Sequence, residues 1–136
     1  MRRDDGQAAV LVIGLFLVGL GFFGLAVDVA RALAERAILR SAADRAALAG
    51  TAAVDEGGLA HGRISVDSEA ARERAQRLLA RSGVDSDVDA DVRVHGPAVE
   101  VRLRRRVRTI FLRIVGVDDL WVAASATASP RVAGAG

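Results

Sequence analysis

The side chains that could do chemistry fall into three groups. Arginines crowd at Arg102, Arg104, Arg105, Arg106 and Arg108, carboxylates alternate at Asp85, Asp87, Asp89 and Asp91, and Asp28, His61 and His95 stand apart. An arginine run of that density invites a phosphate-binding reading. Such a surface needs unpaired positive charge, usually with aromatics or a groove-sized helix. Between Asp85 and Arg108 six arginines meet five carboxylates, so no nucleic-acid partner is expected. The aspartates resemble the first half of a calcium loop, but the sixth position is Ala90 and the twelfth is Gly96 instead of a glutamate. A charged strand face accounts for them better, and no metal is expected. His61 and His95 sit in no nucleophile or zinc spacing, and no phosphate loop or dinucleotide fingerprint is present. The chain therefore reads as non-catalytic, with no cofactor and no small-molecule substrate.

Asp28 is the more informative acid because of where it stands. It follows directly on Ala8–Val27, 20 consecutive residues without a charged or polar side chain. As a helix that run is about 30 Å long, the thickness of a bilayer's hydrocarbon core. An ion at such an edge is costly without water or a partner. The readings open for Asp28 are a plain interfacial ion, a pair with Arg31 one turn on, or a pair with a positive group on another chain. A cleaved secretion signal competes for the same run, since Arg2 and Arg3 give a basic start and Gly24-Leu25-Ala26 would permit cleavage after Ala26. The run exceeds the roughly 7–15 residues of a signal core, which favours a retained span. Ala26, Ala30 and Ala34, four apart, make a narrow small-residue stripe across the proposed cut, suited to close packing of helices.

Composition bounds what the span can carry. All 19 basic residues are arginine, the formal charge is only +2, and there is no cysteine, which removes disulfides, thiolate metal sites and cysteine nucleophiles. The 109 residues after Val27 allow one small domain. Residues 1–7 are expected to form a short polar tail, 8–27 the span with its helix continuing to about 54, 55–129 a small α+β domain, and 130–136 a flexible tail. From Asp28 to Arg40 the sequence is rich in helix formers without glycine or proline, and Ala30, Leu33, Ala34, Ala37, Ile38, Ala42, Leu48 and Ala49 form an amphipathic stripe. Glu56–Ser65 reads as a loop. A second helix follows, capped by Asp67 or Ser68 and ended by Gly83, burying Ala71, Ala75, Leu78 and Leu79 with Arg72, Glu73, Arg77 and Arg81 solvated.

The period then changes to two. Val88 to Val94 and Val99 to Leu103 alternate with charged residues on either side of His95-Gly96-Pro97, a hairpin signature with a turn at Gly96-Pro97. That turn fixes the register. Inward pairs become Val94–Val99, Val92–Val101 and Ala90–Leu103. Outward pairs become Arg93–Glu100, Asp91–Arg102, Asp89–Arg104, Asp87–Arg106 and Asp85–Arg108, all of opposite charge. Thr109–Val115 is expected as a short helix capped by Thr109, closed by Gly116 and tucked onto the sheet. Leu120 to Thr127 alternates as a third strand. The fold class is α+β: a long N-terminal helix, a small helix and a three-stranded antiparallel sheet.

Asp5-Gly6-Gln7, the apolar run, Val27-Asp28-Val29-Ala30-Arg31 and Leu39-Arg40-Ser41-Ala42-Ala43-Asp44-Arg45-Ala46-Ala47-Leu48-Ala49-Gly50 together resemble the N-terminal region of TadE/TadG-like pilus-assembly proteins. The Ala-Ala-Asp-x-Ala-Ala-Leu-Ala segment is the most specific part. The resemblance implies a cytoplasmic N-terminus, a domain outside, and a role in a Tad/Flp-type pilus or secretion system. TadE-like members carry a glutamate five residues past a prepilin cleavage point; after a cut behind Gly6 that position is Leu11, so the chain resembles a minimal TadG-type member. Implied partners are membrane lipid and other Tad assembly proteins or further copies of the chain, met through Ala26, Ala30 and Ala34. The arginines after the span, Arg31, Arg36, Arg40 and Arg45, would by the positive-inside rule place the domain in the cytoplasm; the resemblance outweighs that count. The alternative function is a secreted or anchored envelope binding protein with a cleaved signal and an unknown ligand.

Overall fold

A computed structural model of the chain describes residues 4–53, 66–83 and 87–130. The expected loop Glu56–Ser65, Asp85 and most of the expected C-terminal tail lie outside them. The layout is α+β: helix α1 (Asp4–Thr51), helix α2 (Ser68–Arg81), strands β1 (Asp89–His95) and β2 (Ala98–Arg108), a 3₁₀ turn (Leu112–Val115) and strand β3 (Asp119–Ala128). The three strands form one antiparallel sheet in the order β1-β2-β3.

Helix α1 begins four residues before the expected span and ends three residues earlier than the sequence predicts. Asp4–Gln7, expected as a tail, is helical; acidic residues are favourable at a helix N-terminus. The far end closes by tightening: Ala52 N–H donates to Ala49 O at 3.3 Å, Ala53 N–H to Gly50 O at 3.1 Å, and the Thr51 hydroxyl to Leu48 O at 2.8 Å. Helix α2 starts as expected, with Asp67 Oδ1 accepting from the N–H groups of Glu69 and Ala70 at 3.0 and 3.2 Å.

Two compact units divide the chain, one comprising residues 1–34 and 107–120, the other 35–106 and 121–136. In the first, every side chain from Gly6 to Phe23 is exposed, as for a helix whose solvent is lipid. Among the described residues, α1 is the one helix long and apolar enough to cross a membrane.

In the second unit, α1 presents Leu39, Ala42, Ala43, Ala46 and Ala47, joined by Ala53 just past its end, to a core shared with Ala71, Ala75 and Leu79 of α2 and with the apolar face of the sheet. The sheet contributes Val92, Val99, Val101 and Leu103, then Val122, Ala124 and Ala126. The buried face of α1 is rotated from the expected stripe: Ala30, Leu33, Ala34, Ala37, Ile38 and Leu48 are exposed, Ala49 is half-buried, and Ala42 alone of that set is buried. On the buried face Ala42, Ala43, Ala46 and Ala47 are small enough to admit the sheet and α2 close to the helix backbone. At Gly50 the approach is closest: a Cβ there would lie 2.9 Å from Val99 Cγ1 and 3.3 Å from Ala71 O.

Strands β1 and β2 pair in the predicted register, from His95↔Ala98 to Asp89↔Arg104, around Gly96 at φ +59°. Ala90, expected inward, is exposed near the outer end of the ladder. Strand β3 alternates as expected, burying Val122, Ala124 and Ala126.

Candidate functional site at the end of the apolar helix

Helix residues four apart share a face, and here Gly24 and Asp28 are the buried residues of the first unit's helix. Asp28 is 3 % exposed, and its carboxylate accepts three backbone N–H groups, Ile110 on Oδ1 and Phe111 and Leu112 on Oδ2, each at 2.8 Å. One turn below, the Phe111 ring lies on Gly24, so close that a Cβ on Gly24 would stand 2.5 Å from the ring's Cγ. Glycine gives the ring its seat, and the carboxylate holds the backbone above it. Desolvation acts to raise the Asp28 pKa; the donors from Leu112, Ile110 and Phe111, with the Arg31 charge, outweigh it and hold the group below the usual aspartate value. Of the three readings open from sequence, none names this partner. Arg31 contributes charge, but the bonds come from backbone.

The segment so held is a tightly closed turn. Thr109 N–H donates to Asp118 O at 3.0 Å, and the Thr109 hydroxyl donates to Val117 O and Asp118 O. Thr109 therefore closes the base of the turn instead of capping a helix, the capping role having passed to Asp28. The helical piece is one 3₁₀ turn, ended by Gly116 at φ +88° as expected. It does not tuck its apolar residues away: Ile114 and Val115 are 83 % and 74 % exposed. No local pattern could reveal the Asp28 contact, which spans 82 residues of sequence. The available signal was an acid one residue past an apolar run with a glycine one turn before it.

The proposed packing residues Ala26, Ala30 and Ala34 are all exposed on α1. The hairpin charges neutralise one another by a different pairing from the one predicted. Arg104–Asp89 forms across the strands at 3.1 Å as expected. Arg93 pairs along its own strand with Asp91 at 2.9 Å, and Arg102 with Glu100 at 2.8 Å, because residues two apart share a face and arginine is long enough to bridge them. Asp87 meets Arg105 at 3.2 Å instead of Arg106. Arg105 also reaches Glu35 on α1 at 3.2 Å, while Arg106 lies over the Trp121 ring at 5.0 Å. Arg108 is exposed at the end of β2.

The described residues thus combine an apolar helix long enough to serve as a membrane anchor with a small α+β layout. Residues 6–55 match the Tad family model, Flp pilus-assembly TadE/G-like, over the stretch where the motifs already pointed to that family. This match and the apolar helix fit a pilus-assembly role. No curated protein and no solved structure matches the chain.

Proposed function

We propose that the chain is a non-catalytic, single-pass component of a Tad/Flp-type pilus or secretion system, with its N-terminus in the cytoplasm and its sheet domain outside. It acts by packing the lower part of α1 against partner subunits or further copies, with Ala26, Ala30 and Ala34 as the approach surface. The observation that carries this reading is the combination, on one helix, of a Tad-family match and a small-residue face left exposed by the chain's own fold. Alanines at a spacing of four let helix backbones come close in lipid, where packing and not hydrophobicity drives association.

The secreted-binder alternative requires cleavage after Ala26. That cut would remove Gly24 from beneath Phe111, which argues against it. The test is fractionation with intact mass, joined to topology. The full chain should resist carbonate extraction, and Gln76→Cys, at an exposed position of α2 in a chain without other cysteines, should react with an impermeant thiol reagent on intact spheroplasts. A soluble product beginning at Val27 overturns the anchor in favour of a secreted binder. Labelling only after lysis overturns the orientation.

A further inference from the structure

We propose that the turn from Ile110 to Val117 is a second membrane contact, an apolar knuckle that rests in the bilayer interface beside the end of the span. The inference builds on the reading of residues 8–27 as a membrane helix. Three observations within one compact unit carry it.

The first is surface chemistry. Beyond α1, the large apolar side chains exposed among the described residues are Ile110, Ile114, Val115, Val117 and Trp121, so four of them fall in this one eight-residue turn. Arg113 is its single charged residue, and an arginine stem can lie along apolar surface with its head among phosphates.

The second is level. Phe111 sits on Gly24 and the next backbone groups bond Asp28, so the turn is fixed beside the last turn of the apolar run. An occupant reaching Ile114 and Val115 there is the same lipid that surrounds the helix next to them.

The third is backbone accounting. Irregular backbone near hydrocarbon is costly unless its polar groups are satisfied within the protein. In this turn six of the eight N–H groups have acceptors within the protein: Ile110, Phe111 and Leu112 donate to Asp28, Ile114 N–H donates to Phe111 O at 3.0 Å, Gly116 N–H to Arg113 O at 3.1 Å, and Val117 N–H to Leu112 O at 3.0 Å. Asp28 thereby has a purpose at an otherwise costly position. It supplies acceptors for three N–H groups that water would no longer serve.

The test uses the full chain in phosphatidylcholine/phosphatidylglycerol vesicles, with nitroxide labels on single cysteines at Ile114, at Val115, at Leu15 as a lipid reference and at Gln76 as a water reference. The proposal expects oxygen collisions to exceed those with a water-soluble nickel chelate at Ile114 and Val115, with a depth between the two references. Labels at both turn positions that collide with the chelate as freely as the one at Gln76, while Leu15 reads as lipid, would overturn the knuckle and leave the span standing. A Leu15 label that itself reads as aqueous overturns both. Protection from both reagents, with spin–spin broadening between copies, would assign the turn to a protein contact and also overturn the proposal.

Discussion

Helix α1 uses alanine in two opposite ways. Above Glu35, Ala42, Ala43, Ala46 and Ala47 are sealed inside the chain's own domain, almost without exposure. Below it, Ala26, Ala30 and Ala34 are exposed, and among the described residues none covers them. Inward, the small side chain serves close approach to a sheet; outward, it would serve the approach proposed for a partner subunit. The contrast teaches that the most specific motif of the family resemblance, Ala42-Ala43-Asp44-x-Ala46-Ala47-Leu48-Ala49, is largely a core motif of the domain. Within or beside it, Leu48 and Ile38 look outward.

Substitutions can break that contrast or sharpen it. The largest effect is expected from Leu39→Ala in the buried face, a loss of about 2–5 kcal/mol of domain stability, while Leu33→Ala on the exposed side should stay within about 0.5 kcal/mol. Denaturant titration in detergent compares them, and equal losses would abolish the distinction between the faces. Next comes overpacking. Ala46→Leu should cost about 1–3 kcal/mol, and Ala30→Leu should leave the same transition in place.

A local effect is expected at the end of the span. Asp28→Ala should raise amide exchange at Ile110, Phe111 and Leu112 and leave the amides of β1 unchanged. The same protection should depend on pH with a definite sign. A carboxyl whose folded pKa is lowered stabilises the turn above its ordinary value, near 4, and loses that contribution as pH falls through the folded value. Unchanged protection factors in the variant would show that Gly24 and Phe111 hold the turn alone.

Much of this was legible from sequence because it is local. Period-2 alternation and a Gly-Pro turn fixed every pair from His95–Ala98 to Asp89–Arg104, and Asp67 announced its helix. What sequence could not carry is the choice among equally small or apolar faces, and the pairing of distant groups. Thr109 looked like a cap by its position before an apolar turn, yet the cap came from Asp28 on another element. Arg105 looked like one more member of a charge run, yet its odd number places it on the inward side of β2, where it reaches Glu35 and Asp87. The exchange of cross-strand for along-strand ion pairs is of the same kind: shared faces were readable, but the rotamer choice of a long arginine was not.

The central claim, that the lower alanine face is kept for other subunits, is tested most directly by photocrosslinking from position 33 in native membranes. With the alanines intact, a crosslinker in place of Leu33 should give discrete adducts with partner subunits or further copies. With Ala30→Leu and Ala34→Leu together, those adducts should fall sharply while the chain remains carbonate-resistant and equally abundant, because lipid accepts leucine as readily as alanine. Adducts of unchanged pattern and yield in the double variant would contradict the account, and the outward alanines would then be no more than good helix formers.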